Sequence, residues 1–181
     1  MATSHIKMTT EMQQSKQSEI HHSLSCKWTL WAHLPHDTDW SINSYINLYT
    51  VSTVEETIAL VETLPETLVK NCMLFFMREG IKPTWEDPRN RKGGCFSYKV
   101  INKSVFEAWK DLSFSIAGES VSKNSAFVEN VCGITISPKK NFCIIKIWMT
   151  DCSQQNSAIV NTDIRGISSQ GCIFKAHTPE Y

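Results

Sequence analysis

The chain has 181 residues, of which 41% are hydrophobic and 20% are charged. This composition is ordinary for a folded, water-soluble protein, so we expect one domain with a substantial core. The formal net charge is 0, which argues against a protein that wraps long nucleic acid, because such binding needs a broad basic surface. A small anionic ligand held by a few local cations stays compatible with this charge.

Seven cysteines indicate the redox compartment. Their number is odd, they form no C-x-x-C pair, and several lie in apolar runs, where a thiol behaves as a small hydrophobe. This pattern predicts a reduced protein without structural zinc. No apolar run approaches the length of a membrane span, and the N-terminus lacks a signal-peptide core. We therefore expect a cytoplasmic protein with no membrane partner.

The first half of the chain predicts a tail, three strands and a helix. Residues 1–20 are polar without an apolar period, which is typical of a flexible tail, and the folded domain is expected to cover residues 21–181. The helix begins at a capping box, Thr53-Val-Glu-Glu56, places Val54, Ile58 and Val61 on one stripe, and ends before Pro65. The predicted strands cover residues 26–34, 45–51 and 72–77.

The second half predicts a loop at Pro83 to Gly94, followed by more strands and two helices. One helix begins at a second capping box, Ser104-Val-Phe-Glu107, and ends at Gly118. The other is predicted over residues 153–164. The predicted strands cover residues 95–101, 131–136, 142–149 and 172–176, the middle two forming a hairpin. Strands joined to antiparallel neighbours, with amphipathic helices on one face, predict an α+β domain whose other sheet face is open.

The loop at Pro83 to Gly94 is the first candidate site. Trp85 stands directly before Glu86, between the turn signals Asp87-Pro88 and Gly93-Gly94. A flat ring beside a carboxylate suits a planar cationic ligand that offers N–H donors on one edge. The alternative is that Trp85 covers a small satellite core and that Glu86 is solvated.

The hairpin supplies a second set of candidates. Because side chains alternate along a strand, Lys146 and Trp148 share the open sheet face, and the turn adds Lys139 and Lys140. The alternatives are a surface Trp covered by a lysine stem and a solvated hairpin tip. Together with Trp40, in a polar loop, these residues favour a base between two rings, a carboxylate on its edge and lysines on phosphates.

The chain resembles the translation initiation factor 4E family of messenger-RNA cap-binding proteins, from about residue 22 to the C-terminus. This resemblance implies a single cupped-hand domain: a curved antiparallel sheet, helices on its convex face and the ligand on the concave face. It rests on Trp28-x-x-Trp31, Trp40, Val54-Glu55, Trp85-Glu86-Asp87 with Asn90 and Gly93-Gly94, Trp109 to Gly118-Glu119, Cys132-Gly133 and Ile147-Trp148.

The resemblance also implies roles for the site residues. Trp40 and Trp85 would sandwich the 7-methylguanine of capped messenger RNA, and Glu86 would accept hydrogen bonds from the guanine N1 and N2 hydrogens. The backbone N–H of Trp85 would donate to O6, and Trp148 would contact the methyl group. Methylation makes the base cationic, which adds a cation–π contribution of roughly 2 kcal/mol when it is desolvated. No bond is broken, so the resemblance implies a binding module without a cofactor, catalytic residue or metal.

The basic residues that contact phosphate in the family are largely replaced. Of these positions, Lys139 keeps a cation, whereas Asn141 and Ile144 do not, and a further arginine of the family's pocket floor falls on Cys95. Our hypothesis is that Lys140 and Lys146 partly replace the lost cations.

The scaffold-binding positions of the family are also altered. The family's aromatic anchor falls on Ile58 and a helix leucine falls on Lys110, while His22 and Val54 keep a His and a Val. Aromatic anchors supply much of the energy when a partner helix binds. The expected partner is therefore a scaffold of the initiation factor 4G type or a co-adapted substitute, bound to a monomer. A repressor that sequesters capped messenger RNA is the alternative, and such divergence suits a viral or protist version.

Two other classes of function stay open. A nucleotide or cap hydrolase would use a carboxylate cluster with metal; Asp37 and Asp39 flank His36, but no glutamate-rich helix or phosphate-cradling glycine loop is present. His33-x-x-His36 lacks a third nearby ligand, so we interpret it as loop chemistry and not as a metal site. A pure interaction protein with a non-functional pocket is the third class.

Overall fold

The computed structural model describes residues 21–161 and 163–179, so the predicted tail at residues 1–20 lies outside the described residues. Seven strands among these residues form one antiparallel sheet in the order β2-β1-β3-β5-β6-β4-β7. The strands are β1 Ser23–His33, β2 Tyr45–Thr53, β3 Met73–Arg78, β4 Gly94–Ile101, β5 Val131–Pro138, β6 Phe142–Met149 and β7 Ile173–Ala176. The helices are α1 Val54–Thr63, α2 Glu66–Asn71, α3 Val105–Ala117 and α4 Ser125–Asn130.

The α+β architecture is confirmed, and each predicted strand is present with ends that differ by no more than about three residues. The register is antiparallel between every pair of neighbouring strands. β3 lies between β1 and β5, and its four central residues are all buried. A strand that is apolar on both faces is typical of the interior of a sheet.

The sheet separates two apolar clusters of different size. Along β3, Leu74 and Phe76 belong to the main core, whereas Phe75 and Met77 belong to a smaller cluster on the opposite face. The main core also contains the buried side of α3, so the helices cover this face. The smaller cluster, which includes Trp148, lies on the face that the helices leave open.

Helix α1 begins as its sequence predicts but buries a different stripe. The capping box forms: Thr53 Oγ1 accepts from the Glu56 N–H at 3.1 Å, and Glu56 accepts from the Thr53 N–H. Val61 is buried, whereas Val54 and Ile58 are exposed. Part of the predicted apolar stripe therefore faces solvent instead of the core.

Helix α3 forms without the second predicted capping box. Ser104 has helical backbone angles (φ −111°, ψ −7°), and its side chain makes no capping hydrogen bond. The prediction of a cap was therefore wrong, although the helix itself and its end at Gly118 are confirmed. Its apolar residues at helical spacing are buried, so packing stabilises it. These residues are Val105, Trp109, Leu112 and Ile116.

The helix predicted over residues 153–164 is wrong. The described part of this segment contains a short 3-10 turn, Ser157–Ile159, in which the Asn156 side chain accepts from the Ala158 N–H. Asp151 likewise accepts from the Ser153 N–H. Short polar side chains that bond nearby backbone groups compete with helix formation. No helix in the described ranges is both long enough and apolar enough to cross a membrane.

Candidate functional site

A cavity of about 1040 Å³ lies on the open face of the sheet. Its floor comes from strands of the smaller cluster, including Phe75, Thr135 and Trp148, and two loops complete it. The loop between β1 and β2 contributes Trp40, and the loop between β3 and β4 contributes Trp85. The structure thus brings these candidates from distant parts of the chain to one site.

Trp40 is held by the end of β1. Its indole stacks on the imidazole of His33, with ring centroids 4.1 Å apart and planes 2° apart. The His33 Nε2 also lies 2.8 Å from the Asp39 carbonyl oxygen. Trp40 is 55% exposed and lines the cavity, while His33 covers one face of its indole.

Trp85 is held from the other edge of the sheet. Its indole stacks on His177, just after β7, with centroids 5.6 Å apart and planes 10° apart. The ring is half-buried against the smaller cluster and also lines the cavity. Trp85 therefore covers the smaller cluster, as one of the two predicted alternatives has it, and it also lines the cavity. Since β1 and β7 stand toward opposite ends of the strand order, the two imidazoles that support Trp40 and Trp85 come from different ends of the sheet.

The loop that carries Trp85 is fastened by two buried polar side chains. Asp87 Oδ2 accepts from the Lys82 N–H and Oδ1 from the Arg89 N–H, each at 2.9 Å. The Asn90 Nδ2 donates to the Lys82 and Thr84 carbonyl oxygens at 2.9 and 2.8 Å. Buried backbone groups in a loop need such partners, and these bonds hold the indole and the next residue in place.

His177 ties this loop to the last strand. Its backbone N–H donates to the Gly93 carbonyl oxygen at 2.9 Å, and its ring Nδ1 lies 2.9 Å from the Asn90 carbonyl oxygen. A carbonyl accepts only, so Nδ1 carries the hydrogen. Burial lowers the pKa of His177 below its ordinary value. The ring is therefore a neutral support behind Trp85, and it also packs 4.8 Å from Trp148.

Trp148 is part of the floor and not a surface residue. It is 4% exposed, its Nε1 donates to Thr135 Oγ1 at 3.2 Å, and its ring meets the edge of Phe75. The alternative of a surface Trp under a lysine stem is thereby wrong. A buried indole with its N–H satisfied offers a rigid apolar edge to the cavity.

Glu86 is exposed at the cavity and makes no ion pair or side-chain hydrogen bond within residues 21–161 and 163–179. Burial raises the pKa of Tyr45, another lining residue, to about 12, and the negative charge of Glu86 contributes to this shift. Both carboxylate oxygens are thus available as acceptors.

The predicted phosphate-contacting lysines separate into two groups. Lys146 lines the cavity, on the same face as Trp148, as alternation predicts. Lys139 and Lys140 are exposed at the hairpin tip and do not line it. Lys82, which was not among the predicted residues, does line it. Its position just before the Trp-Glu loop is the signal that points to it.

The predicted scaffold-binding residues lie on the helix face of the molecule. Val54 and Ile58 line a groove of about 390 Å³ whose surface is mostly apolar. Lys110 forms a 2.6 Å ion pair with Glu62, another lining residue. His22 lies beside this groove: its Nδ1 is 2.6 Å from a Glu55 oxygen, and this bond is the main cause that lowers the pKa of Glu55 to about 2.

No group of three or more His, Cys, Asp or Glu side chains among the described residues is arranged to hold a metal ion. His33 is instead used in the stack with Trp40 and in its bond to Asp39. His36 has a left-handed backbone (φ 70°) in the following turn. His33 is thus the last residue of β1, and only His36 of the His33-x-x-His36 pair lies in the loop.

The family model and the similar proteins all point to one family. The family model described as eukaryotic initiation factor 4E matches residues 23–177. The chain is 28% identical over 152 residues to the eukaryotic translation initiation factor 4E of Candida glabrata, covering 81% of this chain and 71% of that protein. It is also similar to a homologue from Acanthamoeba polyphaga mimivirus, 39% identical over 61 residues, covering 34% of this chain and 22% of that protein.

Two solved structures have the same fold. One is Ascaris suum eIF4E-3 in complex with an m7G cap: 26% identity, a TM-score of 0.66, and coverage of 77% of this chain and 78% of that one. The other is Caenorhabditis elegans eIF4E-3 with the 4E-binding protein Mextli and a cap analog: 23% identity, a TM-score of 0.66, and coverage of 74% and 77%. The predicted curved antiparallel sheet with helices on one face matches both.

Proposed function

Because this chain belongs to the eukaryotic initiation factor 4E family, we propose that it binds the 7-methylguanosine cap of messenger RNA and acts in recruiting messenger RNA for translation initiation. One observation carries the proposal: Trp40, Trp85 and Glu86 line a single cavity whose floor contains Trp148. The Ascaris relative at 26% identity is in complex with an m7G cap.

The chemistry of the cavity suits a methylated guanine. Trp40 and Trp85 each stack on an imidazole and both line the cavity, and we assign the planar base to the space between the two indoles. Glu86 accepts hydrogen bonds from the two N–H groups on the edge of guanine, and the backbone N–H of Trp85 donates to O6. Trp148 offers an apolar edge to the methyl group.

Selectivity follows from the charge on the base. Methylated guanine is cationic, and a cation over an indole face gains about 0.5 to 2 kcal/mol, depending on how far it is desolvated. Unmethylated guanine keeps the stacking and the hydrogen bonds to Glu86 but forfeits this contribution. The site therefore favours the methylated base by about 2- to 30-fold from this source alone.

The phosphates of the cap are assigned to the lysines. Lys146 is the principal contact because it lines the cavity beside Trp148, and Lys82 is an additional candidate from the same lining. Lys139 and Lys140 project from the hairpin tip and are assigned to the outer phosphates, where solvent weakens each ion pair.

The groove on the helix face is assigned to the protein partner. The C. elegans relative is in complex with a 4E-binding protein, and Val54 and Ile58 supply an exposed apolar surface. Lys110 and Glu62 add charge that a co-adapted scaffold of the initiation factor 4G type would match. His22 lies at the margin. If the groove takes no such scaffold, the protein acts as a repressor that sequesters capped messenger RNA.

Recognition by stacking and hydrogen bonding breaks no bond, so the protein is proposed as a binding module and not as a cap or nucleotide hydrolase. It is proposed to work as a monomer in the cytoplasm, through a single domain at residues 21–181.

The test is a tryptophan-fluorescence titration with 7-methyl-GTP, and with GTP as the matched ligand. We expect tight, saturable quenching by the methylated nucleotide and much weaker binding of GTP. The Glu86→Gln variant should lose affinity, whereas Glu79→Gln, at an exposed residue outside the cavity, should not. Equal affinity for both nucleotides, or product formation from a cap dinucleotide, would overturn the proposal.

A further inference from the structure

His33 is a rigid part of the sheet. It is the last residue of β1 and pairs with Tyr45 of β2 on one side and with Met73 of β3 on the other. It is 2% exposed. The sheet on both sides and the burial of the side chain therefore hold the ring in place. Trp40 is held in this loop by the stack on His33.

The hydrogen bond of His33 defines where a second proton would go. Nε2 lies 2.8 Å from the Asp39 carbonyl oxygen, and since a carbonyl only accepts, Nε2 carries the hydrogen of the neutral ring. A second proton therefore binds Nδ1 and leaves the bond to Asp39 intact. Protonation thus changes the charge of the ring without removing the bond that positions it.

This charge lies against the face of Trp40 that the ligand does not use. The ring centroids are 4.1 Å apart and the rings are parallel, so an imidazolium would lie over the π-system of the indole. It would then make a cation–π interaction with the indole from this face. A cationic base on the other face then meets a less attractive indole and a second positive charge beyond it. A neutral base is affected much less.

We propose that His33 is a positioning and specificity-determining residue whose protonation weakens the preference of Trp40 for a positively charged base. The inference rests on the proposed function, because it concerns the ligand of the same cavity. It makes recognition of the methylated base depend on a histidine that does not line the cavity.

Several titratable groups lie around His33, and Asp39 is the residue whose backbone carbonyl bonds to its ring. Hydrogen bonds from Ser41 hold the pKa of Asp39 below its ordinary value, so this carboxylate is charged. Burial raises the pKa of Tyr45, whose ring meets the edge of His33 at 5.1 Å, and that of Cys72, whose thiol donates to the His33 carbonyl oxygen. Both are therefore neutral. The other titratable groups of the adjoining loop and of the cavity edge are His36, Asp37 and Glu86.

The experiment compares wild type with His33→Phe, which keeps a flat ring for the stack but cannot be protonated. The Kd of 7-methyl-GTP is measured for both proteins from pH 5.5 to 8.5. The ratio of the two Kd values removes the pH effects that both proteins share. We expect wild type to become weaker relative to the variant toward acid pH, by about two- to fivefold. With GTP the ratio should change less.

Two further variants make the result specific. His36→Asn changes a histidine three residues away and should keep the wild-type pH profile, since asparagine accepts a left-handed backbone. His33→Gln keeps a side-chain donor for the Asp39 carbonyl and serves if the Phe variant does not fold; its profile should match that predicted for the Phe variant. A ratio that stays flat from pH 8.5 to 5.5 overturns this inference alone. Absence of binding by wild type at pH 8 overturns the proposed function and this inference with it.

Discussion

Replacing Asp87 by asparagine tests whether the loop that carries Trp85 and Glu86 is ordered before ligand binds. Asp87 is 8% exposed, and its two carboxylate oxygens accept from the Lys82 and Arg89 N–H groups. Asparagine has nearly the same shape but one acceptor oxygen and one N–H₂ donor. One backbone N–H would therefore face another donor, and the remaining bond would lose its charge.

The size of the effect follows from these two bonds. A hydrogen bond to a charged group contributes about 1.5 to 3 kcal/mol, and a buried group left unsatisfied costs a similar amount. The main core lies on the other face of the sheet, so most of this energy concerns the loop and not global unfolding. If ligand binding must restore the loop, the Kd of 7-methyl-GTP should rise about ten- to a hundredfold, at about 1.4 kcal/mol for each factor of ten.

The assay is the fluorescence titration at pH 7.5, together with a thermal melt. The matched control is Asp163→Asn, at an exposed residue of the segment before β7. We expect the Asp163 variant to behave as wild type and the Asp87 variant to melt within a few degrees of it while binding poorly. A Kd for the Asp87 variant within twofold of wild type would refute the idea that these two bonds preorganise the site.

The other predictions concern stability. Leu112→Ala, at a fully buried residue of α3, should lower the free energy of unfolding in urea by about 2 to 5 kcal/mol, with the Kd of the folded protein unchanged. Gly133→Ala would place a Cβ 2.5 Å from Met77 Sδ and 2.6 Å from the Phe76 carbonyl oxygen; we expect a loss of about 1 to 3 kcal/mol, and a variant as stable as wild type would contradict it. Burial lowers the pKa of His177 in the folded chain below its ordinary value of 6.5. As the pH falls through 6.5, the unfolded chain therefore takes up a proton on this residue before the folded chain does. The contribution of His177 to the free energy of unfolding thus declines as the pH falls. The melting temperature of His177→Gln should therefore approach or overtake that of wild type between pH 7.5 and 5.5, and a constant difference would count against it.

The alternation of apolar and polar side chains predicted the strands because it depends only on residues that are neighbours in the sequence. Side chains alternate across a strand whatever surrounds it, so the pattern placed Lys146 on the open sheet face and Ile145 on the helix face, as the structure has them. The two predicted capping boxes show the limit. Both have the right residues, but Ser104 takes a helical conformation and does not cap.

The sequence by itself determined which face of the strand with Lys146 and Trp148 is open and which loop joins an indole to a carboxylate, since these depend on spacing and turn residues. The tertiary structure alone decided which rings meet. Trp85 stacks on His177, 92 positions away, because β7 pairs with β4 and brings the C-terminal segment to the loop. It likewise decided that Lys82 lines the cavity while Lys139 and Lys140 do not. The physical reason is that neighbours across a sheet depend on strand order, which alternation along one strand does not specify.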